Sequence, residues 1–158
     1  MIVERKTDIV RLIKSLEADH PDQKYIAIHQ CNCFHTMGAG IAKALAKAFP
    51  EVLCADKKTA FGSKEKLGTY SFAQVTKNCT VYNLYSQYLY GIGPNHTNYD
   101  AMYKGLKSIV ESNKSDQNVA YIIPRYIGAG LSGGNHEIIL NGIIMPLFSD
   151  EDVILVYI

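Results

Sequence analysis

The sequence predicts one α/β domain, with helices on both faces of an at least partly parallel sheet. Three observations carry that reading. Strand-like and helix-like segments alternate along the chain, as crossover units require. Two glycine loops, Met37-Gly-Ala-Gly40 and Ile127 to Gly134, each stand between an apolar strand and a helix. The 158 residues suffice to bury a real core, and no repeat, low-complexity tract or linker divides them, so residues 1–158 read as a single domain.

Ile2 to Glu4 reads as a short first strand. Thr7 or Asp8 then caps a helix whose apolar residues Ile9, Leu12, Ile13 and Leu16 fall at i, i+3, i+4 and i+7. His20-Pro21-Asp22 breaks it. Tyr25 to Ile28 is an apolar run of strand length. After the first glycine loop comes an alanine-rich helix, IAKALAKAF, with Ile41, Leu45 and Phe49 on one side and a stop at Pro50. Thr69 to Val75 and Thr80 to Tyr85 alternate or run apolar, as strands do. Asn98 to Val110 is helical, with Tyr99, Met102, Tyr103, Leu106 and Ile109 on one face. Val119 to Ile123 is a buried strand ending at Pro124. The second glycine loop precedes a helix starting near Asn135, and Val153 to Ile158 is the last strand.

Composition narrows the function classes. Lys and Arg total 16 against 15 Asp and Glu, a net charge of +1, so a general nucleic-acid binder is not expected. No apolar run is long enough to span a bilayer, and MIVERKTD is not a secretory leader. The expectation is a cytoplasmic chain with no membrane partner. Cysteines 31, 33, 54 and 79 lack paired zinc spacing and read as reduced thiols. No metal site and no cofactor are expected, and nothing demands more than a monomer.

The chemistry is concentrated in the two loops. Glycine lets a ligand approach the backbone, and a helix N-terminus offers unpaired N–H groups with partial positive charge. In open α/β sheets the carboxyl ends of the strands form the ligand crevice. Two such loops in one small domain suit a diphosphate. Neither loop has G-x-x-x-x-G-K-[ST], and GAGLSG keeps only the outline of a dinucleotide fingerprint.

The combination is more specific. The N-x-x-x-x-M-G-x-G-I-A segment starting at Asn32 resembles the first ligand loop of the macrodomain family, which binds ADP-ribose. The second loop resembles that family's distal phosphate loop. GTYS (Gly68 to Ser71), YNLYSQ (Tyr82 to Gln87) and TDIV (Thr7 to Val10) match in order and spacing. The resemblance covers the whole chain and implies a three-layer α/β/α macrodomain with a mixed, largely parallel central sheet. It points to the small single-domain branch, which includes the yeast-type ADP-ribose-1''-phosphate phosphatase, phage homologues and the terminal ADP-ribose glycohydrolase.

The resemblance also implies residue roles. Asp8 would accept from the adenine amine, with the Ile9 amide nearby; Asp8 reads equally as a helix cap. Asn32 would hold the distal ribose hydroxyls. Met37, Gly38, Ala39, Gly40 and Ile41 would face the diphosphate from one side, and Gly128, Ala129, Gly130, Leu131, Ser132 and Gly133 from the other. Tyr157 and Tyr126 are candidates for stacking against the ligand, because the final strand and the second loop border the family's adenosine and phosphate sites. In the glycohydrolase a lysine forms a covalent adduct, assisted by an aspartate. Those positions are Gln87 and Ser132 here, and neither residue supports that mechanism. Gln87 remains a ligand-binding candidate. A phosphatase needs its phosphate positioned, charge neutralised and water aimed, and Asn32, His35 and Ser132 are the water-orienting candidates. His29 reads as a core histidine, and His96 and His136 as loop or helix-start residues. The expected ligand is ADP-ribose or ADP-ribose-1''-phosphate, and the expected reaction a metal-independent release of phosphate from the latter. The alternatives are a non-catalytic ADP-ribose or ADP-ribosyl-adduct binding module, and an ADP-ribosyl hydrolase or deacylase of another mechanism.

Overall fold

A computed structural model describes residues 1–91 and 95–158. The chain runs β1 (Ile2–Lys6), α1 (Ile9–Asp19), β2 (Lys24–Cys31), α2 (Gly40–Ala48), α3 (Pro50–Lys57), β3 (Tyr70–Thr76), β4 (Cys79–Tyr85), α4 (Tyr99–Ser112), β5 (Val119–Pro124), α5 (His136–Ile139), α6 (Met145–Leu147) and β6 (Asp152–Tyr157). A π-helical stretch, Leu140–Ile144, joins α5 to α6. The six strands form one sheet in the order β1-β6-β5-β2-β4-β3. Every pair is parallel except β3 with β4. The mixed, largely parallel sheet read from the sequence is the one observed.

Period-two alternation in β2 divides the core. Tyr25 and Ala27 face one side, with Leu12, Ile13, Leu45 and Val52 from α1, α2 and α3. Ile26 and Ile28 face the other, with Met102, Leu106, Ile139 and Ile144. Burial on both faces explains why the central strands read as continuous apolar runs. Among the described residues, no helix is long and apolar enough to cross a membrane.

Most strand and helix ends move by no more than two residues, and three differences from the sequence reading bear on the site. β2 continues to Cys31, because His29 and Gln30 still pair with β4 and satisfy their side chains internally. Pro50 does end α2, and it also opens α3 as a first-turn residue, where its missing N–H costs nothing. Ile41 does not share the burial of Leu45 and Phe49. It stands 37% exposed where α2 projects beyond the core.

Candidate functional site: a cleft at the switch point of the sheet

β2 and β5 are neighbours at the centre of the sheet. The chain leaves β2 toward α2 on one face and leaves β5 toward α5 on the other. The two glycine loops therefore confront each other across the carboxyl ends of these strands, where a doubly wound sheet opens a crevice. A cleft of about 790 Å³ lies there. Its walls run from Asp8, Ile9, Val156 and Tyr157 beside β6, past β5 and β2, to Gln87 and Tyr90 beyond β4. That crosses three strand spacings, roughly 14 Å.

The first loop offers backbone. Ala39 caps α2 without a side-chain bond, and the first helical acceptance is Lys43 N–H to Ala39 C=O at 3.2 Å. The N–H groups of Gly40, Ile41 and Ala42 lie ahead of that bond, and all three residues line the cleft. By contrast, α1 and α4 are closed by Asp8 and Asn98, each accepting from a backbone N–H at 2.9 Å. Asn32 shapes the loop from beneath. Its Nδ2 donates to the Thr36 carbonyl (2.8 Å) and its Oδ1 accepts from the Phe34 amide (2.8 Å).

The second loop is tied internally. The Ala129 and Gly133 amides donate to Tyr126 and Gly130 carbonyls, and that of Gly134 to Gly128. Neither Ala129 nor Gly133 lines the cleft, whereas Gly128, Gly130, Leu131 and Ser132 do. The offer read from the sequence thus narrows to fewer N–H groups. The Ser132 hydroxyl, buried, donates to the Gly128 carbonyl at 2.9 Å, as does Thr97 at 2.6 Å.

Gln30 is a cleft residue that the sequence reading missed. Its Nε2 lies 2.8 Å from Gln87 Oε1, 2.9 Å from Ser132 Oγ and 3.2 Å from Thr97 Oγ1. Its Oε1 accepts from the Ser86 hydroxyl at 2.6 Å. The available signal was parity: Gln30 continues the Ile26, Ile28 side of β2, toward the second loop. Gln87 in turn donates to the Leu89 carbonyl at 2.6 Å.

At the β6 end, Asp8 is both cap and cleft residue, so its two sequence readings coexist. Tyr126 and Tyr157 flank the Arg125 guanidinium at 5.3 and 5.2 Å. Arg125 is held by Glu4 at 2.9 Å. Both tyrosines reach the cleft.

Besides Ala129 and Gly133, two more predicted site residues are not on the walls. Met37 turns its side chain into the core under α2. His35 adopts φ +56° and bonds the Thr59 carbonyl through Nε2 at 2.9 Å, with its ring edge-on to Phe61. The turn that Asn32 closes swings His35 outward, so it is not among the residues lining the cleft. His136 packs on Tyr126 at 4.6 Å and is likewise absent from the walls.

The cleft is nearly uncharged. Among its described lining residues there is no Lys or Arg, and Asp8 is the one carboxylate side chain. His29 also lines it, fully enclosed, with Nε2 2.6 Å from Asn83 Oδ1. Burial pushes its pKa down to about 4, so it is neutral at pH 7. Burial likewise raises the Cys31 thiol well above the usual range, which makes it inert as a thiolate. Among the described residues, no three His, Cys, Asp or Glu side chains gather as a metal site.

The fold has known counterparts. A macrodomain protein from Streptomyces coelicolor superposes at TM-score 0.69, with 21% identity over 100% of this chain and 99% of that one. Thermosipho africanus DarTG, solved in complex with ADP-ribose, superposes at 0.64, with 18% identity over 85% of this chain and 38% of that one. The chain is a macrodomain by fold. No family model matches it. The uncharacterised 17.5 kDa protein of the tk-vs intergenic region of Enterobacteria phage T4 is 41% identical over 155 residues, covering 94% of this chain and 96% of that protein. The chain belongs to one family with that phage protein.

Proposed function

We propose that the cleft binds ADP-ribose, with adenine beside Asp8 and Ile9 and the distal ribose between Asn32 and Gln87. The observation that carries this is the pair of loops flanking one crevice, the first presenting uncapped N–H groups of α2. An anion there is stabilised by unpaired amides and the helix dipole, with no basic side chain required. The fold neighbour with ADP-ribose bound supports the same ligand.

The reaction proposed is hydrolysis of ADP-ribose-1''-phosphate to ADP-ribose and phosphate. Water attacks phosphorus, the P–O bond to C1'' breaks, and the leaving oxygen takes up a proton. Phosphoryl transfer through a loose transition state asks mainly for positioning and charge stabilisation. A wall of amides with few ionisable groups suits that demand better than it suits glycosidic hydrolysis, which uses placed carboxylates. The second reading, a non-catalytic binding module, is favoured by one observation. The Ser132 proton is committed to Gly128, and His35 points away, so two of three water-orienting candidates are engaged elsewhere. Phosphate release from ADP-ribose-1''-phosphate, run beside calorimetry with ADP-ribose, decides between them. Binding with release above buffer supports the phosphatase. Binding without release leaves the module, and no binding overturns both.

A further inference from the structure

Gln30 touches three chain segments that meet around the distal half of the cleft. These are the exit of β4 at Ser86 and Gln87, the approach to α4 at Thr97, and the second loop at Ser132. We propose that Gln30 is the positioning residue of the cleft: its carboxamide locks the Gly128–Ser132 loop in the ligand-ready arrangement and so sets the preference for ligands that reach beyond the first phosphate.

The argument starts from proton accounting. The Ser132 and Thr97 hydroxyls lie 3.1 Å apart, but each makes a shorter contact to the Gly128 carbonyl, at 2.9 and 2.6 Å, and its single proton goes there. Both oxygens are left as acceptors, and Gln87 adds a third, since its own Nε2 is committed to Leu89. All three face Gln30 Nε2, which has two protons to give. These three acceptors select the amino end of the carboxamide, and its Oε1 accepts from the Ser86 hydroxyl at 2.6 Å on the other side. Three acceptor oxygens converging in a half-buried space repel one another unless a donor stands among them. Gln30 is that donor.

The loop carbonyl at the centre of this network belongs to Gly128, which also accepts from Gly134 N–H at 2.8 Å. Gly128 has φ +72°, and a Cβ on it would lie 3.2 Å from Gln30 Oε1. Backbone and carboxamide are therefore in close register, and Gln30 constrains where the Gly130, Leu131 and Ser132 amides point. Its contribution reaches the ligand through that loop, so it acts by preorganisation. No contact between Gln30 and the reacting atoms is needed.

The ligand part of this inference rests on the ADP-ribose reading; the loop-ordering part does not. Two measurements on Gln30→Leu separate them. In the ligand-free protein, amide hydrogen exchange at Gly128 to Gly134 is expected to quicken by about tenfold or more, the scale of one or two lost hydrogen bonds. In calorimetry, the Kd for ADP-ribose is expected to rise about tenfold while that for AMP stays within about twofold. Gln30→Glu keeps the shape but replaces the donor with a carboxylate facing three oxygens, and it guards against misfolding of the leucine variant. It is expected to shift the ADP-ribose to AMP ratio further in the same direction. Unchanged loop exchange in both variants overturns the proposal, as does a parallel change in both Kd values. If the parent protein binds no ADP-ribose yet the loop exchange quickens, the ligand reading falls and the positioning role stands.

Discussion

The two cleft loops carry the same Gly-Ala-Gly run, at 38–40 and at 128–130, but they stand on different ground. The first is open. A Cβ on Gly40 would meet nothing within 4 Å, and one on Gly38 would meet Thr36 at 3.9 Å. Gly40 is required by its φ of +57°, which turns the chain into α2 with the N–H groups facing the cleft. The second is filled at Gly128 and Gly134, and open at Gly130. A Cβ on Gly128 would lie 2.7 Å from the Met102 methyl, and one on Gly134 would run into the Gly128 carbonyl oxygen. The support beneath differs too. On the α2 side of the sheet, between the strands and α3, lies a polar buried network joining His29, Asn83, Ser71, Tyr85 and Asp56. Under the second loop lie Met102 and Ile139 of the apolar cluster. One glycine run thus serves backbone direction and the other serves close packing.

The largest expected effect breaks the filled loop. Gly134→Ala must push its methyl against backbone, which cannot give as a flexible side chain would. Overpacking of that kind costs about 3 kcal/mol. Gly130→Ala, with nothing within 4 Å of the new methyl, is expected to stay within about 0.5 kcal/mol. Urea denaturation of the two variants beside the parent measures the contrast. Equal midpoints for both would remove the packing account of this loop.

The next effect belongs to the polar network between the sheet and α3. An unfolded histidine titrates near 6.5, while burial holds His29 at about 4 in the folded chain. Between these values the unfolded state binds the extra proton, so stability falls as pH drops from about 6.5 to about 4. The full difference is about 3 kcal/mol. Above pH 6.5 both states are neutral and this dependence vanishes. His29→Gln, which keeps an amide donor toward Asn83, is expected to flatten the acid limb of a melting-temperature profile. A limb of the same slope in the variant would place the titration elsewhere.

How much of this was legible in the sequence follows from the same contrast. Local signals gave the strands, the helix faces and both loops, because burial on two sides and periodicity are written in adjacent residues. The outward turn of His35 was not legible. It depends on Asn32 closing on Thr36 and on a carbonyl 24 residues away at Thr59. Gln30 was missed for a related reason, since its partners lie 56 to 102 residues distant. Helix α3 was hidden because Pro50 reads first as a stop, and its role as a first-turn residue needs the following helix to be packed on β3.

A third effect tests backbone direction in the open loop. Gly40→Ala places an ordinary residue at φ +57°, which costs roughly 1–2 kcal/mol. Relief of that strain rotates the first amides of α2 away from the cleft. ADP-ribose affinity is therefore expected to fall with stability in this variant, whereas Gly38→Ala should change neither by more than about 0.5 kcal/mol. Paired calorimetry and thermal melts read both quantities. An unaltered affinity in Gly40→Ala would separate the α2 N–H groups from the ligand.

The smallest effect separates the two duties of Asp8, which closes α1 and lines the far end of the cleft. Removing an N-cap oxygen costs about 1 kcal/mol, so Asp8→Ala is expected to lower stability by that amount. Serine caps as well as aspartate, and Asp8→Ser should recover most of it. Serine, though, supplies a neutral and shorter oxygen at the cleft wall. If the carboxylate accepts from the adenine amine, both variants lose ADP-ribose affinity, by roughly 1–3 kcal/mol for a charge-assisted bond. Stability and affinity then part company in Asp8→Ser, one restored and the other not. Recovery of both in the serine variant would make Asp8 a cap alone and leave recognition of adenine to the Ile9 amide and the Tyr157 ring.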